Sequence, residues 1–227
     1  MTSIKKHHQQ PGNTALFNVD GTNDFADYKR TRVGNFSRLP VGGGRKIGPV
    51  IGRIQRWGNR TGKIQYQIGI RDSHKKNMFN FAAQNPIKTP YVDKVPDRDG
   101  SLVSVYPEHM IEGTWGWDWI RGTEVELFDA TFRKGTEENR DEFSGATQEV
   151  IDWLRARNIT RVIVVGLVKR ICAGLTANAL AKAGFEVIIP EEATCDLPIP
   201  DWQSVIDDFT TNGVRVISVK ELMTTAL

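Results

Sequence analysis

The sequence predicts a three-layer α/β/α domain built on a mostly parallel, six-stranded, doubly wound sheet. Three observations lead there. Several apolar runs, such as RVIVVG at 161–166 and FEVIIP at 185–190, are nearly continuous in β-branched residues, as strands covered on both faces are. Between such runs lie stretches whose apolar residues recur three and four positions apart, the helical spacing. The two patterns alternate, and with right-handed crossovers that alternation places helices on both faces of one parallel sheet.

Taken in order, the strands are expected at Thr14 to Val19, Lys63 to Ile70, Val125 to Asp129, Arg161 to Gly166, Phe185 to Ile189 and Val214 to Val219. One helical stripe is formed by Ala146, Val150, Trp153 and Leu154. Another is formed by Trp202, Val205, Ile206 and Phe209, opened by Pro200-Asp201 and stopped by Asn212-Gly213. A third helix runs from Ala173 to Ala183 and ends at Gly184. Residues 1–13, with Lys5, Lys6, His7 and His8 ahead of Pro11-Gly12, read as a flexible solvated tail, and 14–227 as one domain. The least regular stretches are Ala26 to Pro40 and Lys75 to Gly122, the latter carrying three of the six tryptophans. Long loops in a compact domain are usually functional or mobile.

Composition narrows the function. At 227 residues with 39% hydrophobic content, folding buries roughly 70% of the extended chain's surface, so no covalent staple is needed. Two cysteines, Cys172 and Cys195, cannot build a disulfide framework, which points to a reduced, cytoplasmic setting. A net charge of +3 gives no argument for nucleic-acid binding. No apolar run approaches the roughly 18 residues a membrane span needs, and the N-terminus lacks a signal-peptide core.

In an open parallel sheet the ligand crevice lies beyond the carboxyl ends of the strands. The first strand ends in NVDGTNDF, delivering Asp20 and, a turn later, Phe25; the second ends in IRDSHKKNMFNF, delivering Asp72 and His74. The third runs into DATFRKGTEEN and Lys134, and the fourth into GLVKRICAGL, with Cys172 just before a helix. A thiol at a helix N-terminus feels the positive end of the backbone dipole, which favours the thiolate. Taken singly, Cys172 could equally be a small buried residue, Asp20 a turn cap and Lys134 a solvated surface group. Together they supply what an activated thiol needs, a base for its proton and a cation beside it. Asp72 and His74 share one face of an extended segment. With His109, stiffened by Pro107, they make three ligands of the kind that hold a catalytic Zn2+ or Fe2+, the alternative being ordinary loop histidines.

Six blocks in order, VDGTNDF, LPVGGGRKIGPVIGRI, DSH, YPEHMIEGTWG, KGTEENRDEFSG and GLVKRICAGLTANALAKAGFEVIIPEEAT, give the chain from about Thr14 onward its resemblance to the nicotinamidases of the isochorismatase-like cysteine hydrolase superfamily. The resemblance implies an isochorismatase-like fold and a catalytic triad of Asp20, Lys134 and Cys172. It implies a divalent metal on Asp72, His74 and His109, Zn2+ first, with Fe2+ or Mn2+ as alternatives. Phe25 and Tyr106 resemble the aromatic pair that sandwiches the pyridine ring. The backbone N–H groups of Cys172 and of Val168 or its neighbour resemble the family's oxyanion hole, in a turn expected to hold a cis peptide at Val168-Lys169. The implied reaction converts nicotinamide and water to nicotinate and ammonia through a thioester, in the service of nicotinamide cofactor salvage. The implied partners are a small amide substrate and further copies of the chain in a homo-oligomer, with neither nucleic acid nor membrane.

The sequence departs from that pattern at several positions. Met78 and Asn80 stand where relatives carry further histidines, Thr22 stands for glutamine, and Met110 follows His109 in place of cysteine. Lys169 and Arg170 replace threonine and aspartate ahead of Cys172, adding two positive charges expected beside the thiol, where they would favour thiolate or select a more anionic substrate. The basic segment from Lys29 to Arg45 reads as a cover over the site, a subunit contact or a plain loop. Hydrolysis of carbamoyl or ureido amides, and a non-catalytic binding protein on the same fold, are the competing readings. A phosphate-binding loop at Gly42-Gly43-Gly44 is excluded, since no strand precedes it.

Overall fold

The computed structural model describes residues 13–31, 33–197 and 203–224. In chain order its elements are β1 (Asn13–Val19), α1 (Ile47–Thr61), β2 (Tyr66–Asp72), β3 (Lys94–Pro96), β4 (Leu102–Ser104), β5 (Ala130–Lys134), α2 (Gln148–Arg155), β6 (Ile159–Gly166), α3 (Cys172–Lys182), β7 (Glu186–Pro190), α4 (Gln203–Asn212), β8 (Arg215–Ile217) and α5 (Val219–Thr224). Six strands form one sheet in the order β5-β2-β1-β6-β7-β8, and every pairing in it is parallel. Of the tail and the second helical stripe, residues 1–12 and Pro200, Asp201 and Trp202 lie outside the described residues. No helix among the described residues is long and apolar enough to cross a membrane.

Why the central strands are so apolar follows from their position. β1 lies between β2 and β6, and alternate side chains enter opposite cores: Phe17 joins Val150, Leu154, Leu180 and Phe209 under α2, α3 and α4, while Leu16 joins Ile51, Ile54 and Leu222 under α1 and α5. A residue exposed on either face would leave one of those helices without a surface to cover.

The edges follow a different rule. The strand expected at Val125 to Asp129 is instead a 3-10 turn at Val125–Leu127, and the strand follows it as β5. As an edge strand β5 is covered less, and its sequence ATFRK alternates in burial, so it carries no apolar run. β2 starts later than expected and continues through Arg71 to Asp72. The stretch Val214 to Val219 yields only the short β8, because the Ser218 hydroxyl accepts the Glu221 N–H at 3.0 Å and opens α5. The antiparallel pair β3-β4 sits inside Lys75 to Gly122, which was expected to be irregular.

Helix α1 escaped the periodicity test because of the composition that lets it pack. Its sequence IGPVIGRIQRWGNRT holds three glycines and a proline, all poor helix formers. Residues 120–124 cross it at backbone distance. A Cβ on Gly48 would come within 2.3 Å of the Arg121 carbonyl oxygen, and one on Gly52 within 2.0 Å of that of Gly122. Gln55, fully buried, then fastens the crossing by donating to the Glu124 carbonyl at 3.1 Å and accepting its N–H at 2.9 Å.

Gly52→Ala therefore lowers stability although alanine is the better helix former. Crowding against backbone costs about 1–3 kcal/mol, which outweighs the ~1 kcal/mol gained in helix propensity. Urea denaturation measures the balance, and unchanged or higher stability would show that the crossing loop yields.

Candidate functional site

The carboxyl ends of β1, β2, β5 and β6 are level because the register pairs Val19 with Ile70, Val19 with Gly166, and Asp72 with Lys134. At that edge the Lys134 ammonium lies 2.9 Å from Asp20 Oδ2 and donates to Asp72 Oδ1 at 2.5 Å and to the Glu142 carbonyl at 3.1 Å. Asp20 Oδ1 accepts the Asp72 backbone N–H at 2.8 Å. One carboxylate oxygen from each aspartate and the Cys172 sulfur all lie within 4.8 Å of one another. Asp20, Asp72 and Lys134 are buried, with Lys134 only 1% exposed. The structure thus brings together the three residues expected to form a triad.

Burial sets their protonation. Desolvation, followed by the neighbouring charge of Asp72, pushes the Asp20 carboxyl up to about 6 against the opposing pull of Lys134. Burial pushes the Cys172 thiol well above the usual cysteine range; Lys134 opposes this, while Asp20 and Asp72 reinforce it. Lys134 is held well above the ordinary lysine value, since the attraction of Asp20 and Asp72 outweighs its desolvation. The resting site therefore contains a thiol, not the thiolate expected from the helix N-terminus alone.

His74 and His109 are buried, with ring centroids 5.0 Å apart. Nδ1 of His74 lies 2.9 Å from the Gly135 carbonyl oxygen, and Nδ1 of His109 lies 2.8 Å from that of Pro107. A carbonyl only accepts, so each Nδ1 carries a proton, and in the neutral ring it is Nε2 that presents a lone pair, the arrangement of metal-binding histidines. Burial, then the neighbouring His74, holds His109 well below the usual imidazole range, so it stays neutral. His74 Nε2 lies 3.8 Å from Asp72 Oδ2, whereas Lys134 donates to Oδ1. Gly135 permits this closeness, since at its φ of 61° a Cβ would sit 2.6 Å from His74 and 2.9 Å from the Asp72 carboxylate.

Two donor sets could hold a cation. Asp20, Asp72 and Cys172 are close enough, but the Lys134 ammonium already contacts both of those carboxylates. Asp72 with His74 and His109 is by its chemistry an oxygen-nitrogen set that fits a borderline divalent metal, while among the described residues only Asp20, Asp72 and Cys172 bring one donor atom each within 4.8 Å of one another.

A cavity of about 340 Å³ opens onto Cys172, Asp72 and His109, and Phe25, Tyr106 and Val168 line it as expected. Phe25 and Tyr106 each meet the His109 ring edge-on at 5.8 Å. Sequence reasoning missed the rest of the wall: Leu39, Pro40 and Val41 from the basic segment, with Tyr91, Asp141, Phe143, Ile171 and Leu197. The apolar triplet LPV among charged residues was the available signal. Part of the segment read as cover, contact or loop is a wall of the cavity.

The turn before Cys172 differs from expectation in two respects. The cis peptide is Leu167-Val168, one residue earlier than predicted. Lys169 and Arg170 do not line the cavity: Lys169 pairs with Glu191 at 3.4 Å, and Arg170 binds both oxygens of Asp196 at 2.8 and 2.7 Å. Their charges are spent away from the thiol. Two other departures meet each other, since the Thr22 hydroxyl lies 3.1 Å from the Met110 sulfur in a fully buried contact.

The family model of the isochorismatase domain matches residues 76–221. The chain belongs to the isochorismatase family. It is 27% identical over 180 residues to the nicotinamidase of Escherichia coli (strain K12), covering 76% of this chain and 78% of that protein. Among solved structures, it is similar to the nicotinamidase-pyrazinamidase of Acinetobacter baumanii, with a TM-score of 0.80 at 24% identity over 94% of this chain and 100% of that one. It is also similar to the pyrazinamidase of Pyrococcus horikoshii in complex with zinc, with a TM-score of 0.69 at 23% identity over 91% and 99% of the two chains. These likenesses confirm the isochorismatase-like fold read from the sequence.

Because Asp72 contributes to the upward shift of Asp20, the metal-free protein makes a sharp test. Carboxyl-resolved NMR titration is expected to place the Asp20 midpoint near 6, and Asp72→Asn, which removes a negative neighbour, moves it down. A midpoint in the ordinary aspartate range would show that the cluster is hydrated.

Proposed function

We propose that this protein is a metal-dependent cysteine amidohydrolase that converts nicotinamide and water to nicotinate and ammonia. The observation that carries the reading is the meeting of Asp20 and Lys134 with Cys172, which itself lines a cavity whose wall also holds Asp72, His109 and the aromatic pair Phe25 and Tyr106. The nicotinamidases and pyrazinamidases to which the chain is similar support the substrate class.

The chemistry follows from the protonation states. Cys172 rests as a thiol and must lose its proton during the reaction, and the Asp20 carboxylate is the base beside it. Lys134 stays cationic and offsets the negative charge that passes between sulfur and carboxylate. As sulfur bonds to the carboxamide carbon, the carbonyl electron pair moves onto oxygen. Backbone N–H groups are the donors for that oxyanion, and the Lys169 N–H is already spent on the Cys195 carbonyl at 2.8 Å, which leaves those of Val168 and Cys172. Asp20 returns its proton to the departing amine, ammonia leaves, and a thioester remains. Water then attacks the thioester with Asp20 again the base, releasing nicotinate and restoring the thiol.

Phe25 and Tyr106 hold the pyridine ring by its faces and fix the carboxamide against the sulfur, where proximity does much of the work. A divalent metal held by Asp72, His74 and His109, Zn2+ first and Fe2+ or Mn2+ as alternatives, supplies a Lewis acid for the ring nitrogen when bound.

The test is ammonia release from nicotinamide by the purified protein. Cys172→Ala is expected to lower kcat by about 1,000-fold or more while the melting temperature and circular dichroism stay near those of the parent. Chelation lowers the parent's activity and added Zn2+ restores it. A Cys172→Ala variant that keeps most of its rate would end the thioester mechanism, and release from ureido amides without release from nicotinamide would replace the substrate.

A further inference from the structure

The tryptophans of GTWGWDW have no part in the chemistry above, yet one of them touches the strand end that carries it. β2 leaves the sheet through Asp72, Ser73 and His74, and backbone bonds fix it in two places, Ser73 N–H to the Lys134 carbonyl at 2.9 Å and His74 N–H to the Met110 carbonyl at 3.0 Å. The Asp72 carbonyl and the Ser73 hydroxyl between them are held by one group. The indole N–H of Trp117 donates to the Asp72 carbonyl oxygen at 3.0 Å and to the Ser73 Oγ at 2.9 Å.

The ring making those bonds is itself held firmly. The Arg71 guanidinium stacks 3.2 Å from the centre of the Trp117 ring and donates to the Trp117 carbonyl at 2.8 Å, and that of Arg133 lies 5.6 Å from the same ring. Arg71 and Arg133 are register partners on neighbouring strands, one residue before the partners Asp72 and Lys134. Successive strand residues point to opposite faces. The cation-π stack on one face of the sheet edge therefore backs the charge cluster on the other.

We infer that Trp117 is a positioning residue: by holding the Asp72-Ser73-His74 turn it sets two of the three side chains that bind the metal. This rests on the functional reading above, in which Asp72 and His74 are ligands. Groups that orient metal ligands typically change affinity by about 10- to 100-fold when removed.

Zn2+ affinity of the full-length protein, measured by competition with a chromophoric chelator, tests this without reference to turnover. Trp117→Phe keeps a ring for Arg71 to stack on but removes the N–H, and is expected to weaken Zn2+ binding by about 10-fold or more. Ser73→Ala removes one of the two acceptors and weakens it less, by about 3-fold. Trp115→Phe, in the same turn but packed edge-on against Tyr28 at 5.5 Å, leaves it unchanged, which a general loosening of the turn would not. Affinity of Trp117→Phe within 2-fold of the parent overturns the inference alone; should that variant not fold, Ser73→Ala decides by the same margin. A parent protein that binds no Zn2+ overturns it together with the metal part of the functional reading.

Discussion

The Lys134 ammonium, buried between Asp20 and Asp72, is the contact on which the arrangement of the site depends. A cation removed from water is tolerated only when paired and fully hydrogen-bonded, and here two carboxylates and the Glu142 carbonyl surround it. The pairing reaches across three strands, because Asp20 follows β1 while Asp72 and Lys134 end β2 and β5. Loss of one partner would strand the others as buried charges, at a cost of about 3–5 kcal/mol. The cluster is therefore a constraint on how the strands end, whatever part it takes in the proposed chemistry.

Two carboxylates against one ammonium weight the cluster towards negative charge, and that adds to the desolvation that dominates its electrostatics. It helps keep Asp20 reluctant to ionise and Cys172 protonated, and it makes the Asp72 oxygen beside His74 a place for further positive charge. His109 does not supply that charge, since burial, then the neighbouring His74, keeps it neutral. Imidazole nitrogens together with a carboxylate are a combination of donors that suits a divalent cation.

How much of this could be read from the chain depended on whether a residue's role was local. The central strands were legible because burial on both faces writes a continuous apolar run, whereas edge strand β5 writes none. Asp20, Asp72, His74, Lys134 and Cys172 were legible as strand-end residues, and their order matched a known family. What failed was whatever depended on a distant partner. The glycines of α1 disguise a helix because a loop some seventy residues away crosses them. Lys169 and Arg170 looked like charges for the thiol until Glu191 and Asp196 were seen to take them. Thr22 and Met110 looked like separate departures and turned out to be one contact.

The same distinction bears on why the thiol rests protonated. Sequence shows a cysteine at a helix start, where the dipole alone would favour thiolate; the surroundings that decide the matter come from distant segments. Inside an apolar cavity the desolvation of sulfur outweighs the dipole, so reactivity cannot be stored as a standing anion. In the proposed reaction the anion is generated when an acyl carbon is in place to take the electron pair, with the proton passing to a carboxylate that is already beside the sulfur. Under that proposal proton and electron pair move within one small cluster whose total charge does not change, so Lys134 would serve every stage without moving, and a rigid sheet edge would suffice where a mobile loop would not.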